Sequence, residues 1–314
     1  MELYEAIFYR KSVRNFSSKK IKKPLMEEIK RSCKNLEYLN EDLNIKAHVV
    51  DRGHIIHFLM GKECKVKAPH YIVVTSDKGE DYLQNIGFAT EGVVLRLTTL
   101  GIATCWLEGN LKREDILEFV DIGNKNFEED EEDDLDYLAG IKTEEDDENK
   151  IENPYIIIAF GYPAKNEELF RTRYARPDRK PVKDMINKIN RNRKWKDILE
   201  LTRRAPSVKN SQPWYFHKDE RGLHLFEKRP KKHCEDMNKV SLGVALRHFD
   251  IACIKNKIDV SYEKLPIRNK IGKSYFITVV EHVKPEEETQ EENVTLEKKN
   301  RKMNKILEGD IGYV

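Results

Sequence analysis

Adding 169 to positions 10–53 of this 314-residue chain lands on positions 179–222 without a gap. Arg10-Lys11-Ser12-Val13-Arg14 falls on Arg179-Lys180-Pro181-Val182-Lys183, Glu28-Ile29 on Asp197-Ile198, and His48 on His217. Asp51-Arg52-Gly53 falls on Glu220-Arg221-Gly222. Further on, an offset of 156 places Ile86, Gly87, Ala89, Val93 and Leu97 on Leu242, Gly243, Ala245, Phe249 and Cys253. Pro154-Tyr155-Ile156 then lines up with Ser274-Tyr275-Phe276 at an offset of 120. A register held over so many positions is the mark of one supersecondary unit written twice. The shrinking offset makes the second copy a trimmed one. The expected division is residues 1–166 for the first half, with an acidic insertion at about 126–150, and residues 167–283 for the second. A charged C-terminal tail, 284–314, follows.

Each half mixes helix and strand. Leu3, Ala6, Ile7 and Arg10 fit a short first helix, and a helix started by Pro24 runs to about Asn35, followed by a strand near Ile45–Val50. Tyr71–Thr75 and Tyr155–Phe160 are short apolar, β-branched runs and read as buried strands. Between them, Ile86, Ala89, Val93, Leu97 and Leu100 recur at spacings of three and four, one helical face, with Gly101 where a stop belongs. The acidic tracts Glu128–Asp136 and Glu144–Glu148 read as solvated loops, and Val294–Ile306 as a peripheral helix in the tail.

The copies differ at two places. Ala205–Trp214 reads APSVKNSQPW, whereas its counterpart, Leu36–Ile45, has no proline and three carboxylates. Pro206 and Pro213 each fix their own φ and extend the residue before them, so this stretch is expected to be a stiff, non-helical loop presenting neutral amides and hydroxyls. Such a surface suits a planar ligand rich in heteroatoms. Conversely, Ile102–Gly109 (IATCWLEG) is expected to open a loop with no counterpart in the second half. Complementary loss is what a single site built between the halves would leave behind.

Composition narrows the field. A net charge of +2 leaves no global positive excess to drive nucleic-acid binding, and no apolar run reaches the roughly 20 residues of a membrane span. The N-terminus lacks the apolar stretch of a signal peptide. Five scattered cysteines, never in a Cys-x-x-Cys pair, argue against a disulfide framework and a metal site. A cytoplasmic protein is expected.

With these residues in place, the chain resembles the FMN-dependent nitroreductase family. The resemblance rests on Arg10–Arg14, Ala205–Trp214, Gly101–Gly109 and the strand ending Phe160-Gly161-Tyr162-Pro163, followed by the basic segment Arg176–Pro181. It covers roughly residues 1–283 and implies an α+β fold of α/β/α layers. Ordinary members are homodimers whose two sites each use both subunits. In them the proline-bracketed loop comes soon after the Arg-x-Ser-x-Arg motif; here it comes about 190 residues later. The chain therefore looks like the fused two-domain branch, a monomeric pseudo-dimer with one composite FMN site.

The resemblance puts Arg10, Lys11, Ser12 and Arg14 on the FMN phosphate, ribityl chain and pyrimidine edge. Arg179 and Lys180 would add to the phosphate site. Pro206, Ser207, Asn210 and Gln212 would reach the flavin from the other half, and Glu108 and Gly109 match the loop facing flavin N5. It implies hydride transfer from NAD(P)H, a diffusible donor, to a small-molecule acceptor such as a nitroaromatic or quinone. No catalytic side chain is assigned, because the flavin carries the chemistry. Planar guanidinium groups and short hydroxyls do suit a phosphate, and amides suit the alternating donors and acceptors of a pyrimidine edge.

Two other readings are open to the same residues. One is a flavin-binding protein with little turnover. The other is a nucleic-acid module using the basic run Lys188–Arg204 around Trp195, although Trp195, Ile198, Leu199 and Leu201 fall at helical spacing with a solvated basic face.

Overall fold

The computed structural model describes residues 1–109, 111–118, 120, 151–172, 175, 177–187, 193–230 and 233–282. The two acidic tracts, the tail and Arg176 lie outside the described residues. The first half contains α1 (Leu3–Tyr9), α2 (Lys23–Lys34), β1 (Lys46–Val50), α3 (Gly53–Leu59), β2 (His70–Ser76), α4 (Tyr82–Thr99), β3 (Ala103–Glu108), α5 (Arg113–Ile116) and β4 (Asn153–Gly161). The second contains α6 (Arg193–Thr202), β5 (Trp214–Asp219), β6 (Gly222–Lys228), α7 (Glu235–Asn256), β7 (Val260–Glu263) and β8 (Lys273–Glu281).

Each half forms a four-stranded antiparallel sheet, in the orders β1-β2-β4-β3 and β5-β6-β8-β7. The repetition reaches individual rungs. Lys46 pairs with Thr75, and Tyr215, 169 positions later, pairs with Phe226. Both sheets break register at one place, between Val74 and Thr75 in β2 and between Leu225 and Phe226 in β6. A bulge conserved in position through a duplication is a designed bend in the strand.

Two expectations are corrected by this register. Ile72 pairs with Ile158 and Leu223 with Val279, so the last strands are offset by 121. Tyr155 therefore corresponds to Phe276, and the one-residue slip exchanges the faces on which the side chains lie. Ile102–Glu108 does not begin a loop: Ala103–Glu108 is an edge strand, and Cys105 on Ala159 matches Ser261 on Val280. The counterpart exists but escapes notice because β7 is a short, half-exposed edge strand with little apolar pattern to align.

The halves join through α4 and α7. Both helices are buried around most of their circumference, as a helix at the centre of a large core must be. One apolar cluster runs through the interface, from Ile29 and Ile72 in the first half to Leu199, Phe216 and Phe249 in the second. The outer face of the first sheet is covered as well: Tyr71, Val73, Ile157 and Ala159 pack against Ile56 of α3 and Ile116 of α5. In the second half β5 and β6 meet across the two residues Glu220 and Arg221, where the first half inserts α3 and its flanks. Among the described residues, no helix is long and apolar enough to cross a membrane.

Candidate functional site

Arg10 caps the C-terminal end of α1, where the backbone turns extended and its N–H closes on the Ala6 carbonyl at 2.8 Å. The segment joining the halves returns beside it. Arg10 bridges Phe170, and the Arg171 N–H donates to Tyr9 at 2.7 Å. From the second half, the Arg204 guanidinium lies 4.6 Å above the Phe8 ring, and Arg179 donates to the Arg204 carbonyl at 3.3 Å. Four arginines from different parts of the chain are thus gathered in one neighbourhood.

Their electrostatics are unusual for structural arginines. Burial, then the charges of Arg171 and Arg10, pull the Arg179 pKa down to about 10. Burial, then Arg10 and Arg204, lowers that of Arg171. Burial also lowers Arg204, with Glu200 opposing. Four buried nitrogens, Arg10 Nη1, Arg171 Nη1, Arg179 Nε and Arg204 Nε, have no hydrogen-bond partner among the described residues. Buried polar groups are ordinarily paired, and clustered like charges repel. An anion with several acceptor oxygens would answer both conditions.

The 205–214 loop is held from this cluster. Arg179 donates to Asn210 Oδ1 at 2.8 Å, and Asn210 Nδ2 donates to the Asp178 carbonyl at 3.0 Å. Gln212 is buried, accepts the Lys180 N–H at 2.7 Å and donates to Asn210. Ser207 Oγ accepts the Gln212 N–H at 2.9 Å, and Val208 N–H donates to Ser241 Oγ at 3.1 Å. Pro206 lies half-buried beside them. The loop is stiff but not wholly non-helical, since Val208–Asn210 makes a single 3-10 turn. Lys209, Asn210 and Gln212 all take positive φ, of 46°, 54° and 49°. Each such residue costs about 1–2 kcal/mol. Strain of this kind persists only where the surroundings hold it, and it concentrates at functional sites.

On the first-half side, Ser12 bridges Thr104 of β3, and the Val13 N–H donates to the Thr104 carbonyl at 3.1 Å. Arg14 is exposed and forms no ion pair among the described residues. Its charge nevertheless reaches Cys105, whose pKa is raised by burial and pulled back by Arg14 and Arg10. Glu108 ends β3 exposed, and the Gly109 backbone lies so close to the Ile157 side chain that a methyl there would press on it. Lys11 and Lys180 turn elsewhere, to Glu167 at 2.9 Å and to the Ser211 carbonyl at 2.7 Å.

Of the residues expected from sequence, Arg179, Ser207, Asn210 and Gln212 are linked in one hydrogen-bond network whose Arg179 feels the charge of Arg10, while Ser12 and Arg14 lie along β3. Asn210 and Gln212 already spend their amides on internal partners. Arg171 escaped sequence reasoning, and Arg204 was singled out only as the end of the basic run Lys188–Arg204, not for this cluster. Their only signal for it was position, one in the connector between the halves and one directly before Ala205-Pro206. The basic helix α6 buries Trp195, Ile198, Leu199 and Leu201, with Trp195 6.0 Å from Phe249.

A family model described as "Putative TM nitroreductase" matches residues 2–124 and 137–253. Among solved structures, a "putative nitroreductase" from Thermotoga maritima is 24 % identical, covers 85 % of this chain and 91 % of its own, and superposes with a TM-score of 0.51. A nitroreductase with bound FMN from Bacteroides fragilis is 16 % identical, with 57 % of this chain and 96 % of its own covered and a TM-score of 0.38. No curated protein matches. The family model spans most of both repeated halves, and the Thermotoga maritima structure shares the fold: this chain belongs to that nitroreductase family.

Proposed function

We propose that the protein is an FMN-dependent oxidoreductase of the nitroreductase type, using NAD(P)H to reduce a small oxidised acceptor such as a nitroaromatic or quinone. The observation that carries this reading is the arginine cluster: four partly or fully buried guanidiniums with unpartnered nitrogens suit an oxyanion such as a phosphate monoester. Arg10, Arg171, Arg179 and Arg204 would hold the phosphate. Ser12 and Arg14 would lie along the ribityl chain and pyrimidine edge, and the backbone at Glu108–Gly109 would face the reactive edge of the ring. When bound, FMN supplies the hydride chemistry, and the protein's share is to fix and tune it.

In this reading Asn210 and Gln212 act through Arg179 and the loop backbone, because their own amides are engaged. The site draws on both halves, so one FMN per chain and a monomeric pseudo-dimer follow. A cytoplasmic setting suits the five free thiols.

The visible absorption spectrum of the purified protein, followed by release and quantitation of flavin, tests the proposal. About one FMN per chain that bleaches with NADH or NADPH is the expected result. A yellow protein that does not bleach would favour flavin binding without turnover, and a protein that neither carries nor takes up FMN would end the proposal.

A further inference from the structure

The loop that follows Arg14 and the α3 insertion face each other across a cleft of about 450 Å³. One wall is fixed to the end of β4. The Ala164 N–H donates to the Asn15 carbonyl at 2.9 Å, Ser17 N–H donates to the Tyr162 carbonyl at 2.9 Å, and Phe16 bridges Pro163. The other wall is closed by the tight crossing of Gly53 under the Ala68 and Pro69 carbonyls. Both walls are thus set by backbone contacts.

The lining is cationic. Arg14, Lys65 and Lys67 supply the charge, and Phe16 an apolar surface. Neither lysine forms an ion pair or side-chain hydrogen bond among the described residues. The lining also holds one carboxylate, Asp51, which lies 3.9 Å from Lys30 and 3.6 Å from His70. A neutral quinone or nitroaromatic has no use for such a field. Moreover, α3 has no equivalent in the second half, where a two-residue turn replaces it. The cleft therefore exists only beside the Arg14 loop, the part of the first half that the flavin reading places on the cofactor.

We infer that this cleft receives the phosphorylated end of the electron donor, and that Lys65 and Lys67 select NADPH over NADH by binding the 2′-phosphate. This rests on the flavin reading above for the identity of the donor. The recognition itself needs only the cleft. Ammonium groups bind phosphate as point charges, and a bound dianion gains from each of them. Arg14 is shared between the two ligands, so the donor would lie next to the flavin.

The test is calorimetric titration of the full-length protein with adenosine 2′,5′-bisphosphate, ADP and adenosine 5′-monophosphate. The bisphosphate should bind at least about tenfold more tightly than the monophosphate, weaken steeply with salt, and lose that advantage in Lys65→Ala/Lys67→Ala. ADP binding as tightly as the bisphosphate would mean that the cations read a pyrophosphate, and the NADPH assignment would fail. Equal binding of all three, or indifference to the double variant, would overturn the cleft altogether. In protein carrying FMN, the double variant should raise KM for NADPH about tenfold with little change in kcat or flavin content. A colourless protein that still prefers the bisphosphate would refute the flavin reading alone; a yellow protein blind to the 2′-phosphate would refute only this one.

Discussion

Gly87 of α4 lies directly against the Val240 carbonyl of α7, and Gly243, its copy 156 positions later, lies against the Gln84 carbonyl of α4. The two glycines are a reciprocal pair about the axis relating the halves. Each removes a side chain where the opposite backbone passes, so the helices approach more closely than any larger residue would permit.

Gly87→Ala and Gly243→Ala should therefore each destabilise the protein by at least about 1–3 kcal/mol, because the neighbour that must yield is backbone. Gly92→Ala should be milder, since its new methyl meets the Arg247 side chain at 3.3 Å. Thermal unfolding of the three variants checks the order. A Gly92 variant as damaged as the other two would contradict the reciprocal packing.

Arg171→Gln should weaken FMN binding by about ten- to a hundredfold, the loss of one charge-assisted contact. The flavin-free protein should melt no lower than wild type, because the substitution removes a charge repelled by Arg10 and Arg204. Opposite signs in ligand affinity and intrinsic stability separate a binding arginine from a structural one.

Asn210→Ala should reduce flavin occupancy by releasing Arg179 and Gln212 from their common acceptor. Asn40→Ala, in the corresponding stretch of the first half, should leave occupancy unchanged, since that side chain only accepts the nearby Asp42 N–H at 2.9 Å. Flavin quantitation distinguishes them, and equal losses would argue against the asymmetry of the loops.

Glu91 and His248 are both fully buried and joined across the interface at 2.9 Å, and Trp106 Nε1 donates to the other Glu91 oxygen at 3.0 Å. Glu91→Ala strands both donors, and about 3–5 kcal/mol of stability should be lost. Pairing it with His248→Ala should cost less than the sum of the single changes, as denaturant unfolding of the cycle would show.

Acid sensitivity should centre on Glu152. Burial raises its pKa, but hydrogen bonds from His48, Lys46 and Thr75 outweigh burial and hold it at about 2, below the ordinary 4.5. A depressed carboxylate stabilises the fold above its unfolded pKa, and that contribution fades as pH falls from 4.5 toward 2. Glu152→Gln should remove about 1–2 kcal/mol at neutral pH, allowing for solvent screening of the part-exposed Lys46, and flatten stability over that acid range. An unchanged acid limb in urea titrations would contradict the assignment.

Much of the scaffold was legible before any coordinates. Pro24 marked the start of α2, which buries Met26, Ile29 and Cys33 together, and the spacing of Trp195, Ile198, Leu199 and Leu201 marked α6, which buries all four. Local periodicity sufficed there because each helix has one buried stripe. It failed at edge strands, where β7 buries too little to leave a pattern, and at α3, which begins at Gly53, where the gapless register ends. The site was half visible. Arg10 and Arg179 stood in aligned motifs, whereas Arg171 and Arg204 join them only through folding of the connector and the end of α6. Nor could composition reveal that Asn210 and Gln212 would turn their amides inward.

The α3 excursion on one sheet, against a two-residue hairpin on the other, has a meaning beyond packing. Two identical subunits cannot thicken one wall without thickening its mirror image, since every insertion is inherited twice. Written as one polypeptide, the halves are released from that obligation: one can build outward around a single pocket while the other is pared back to support it.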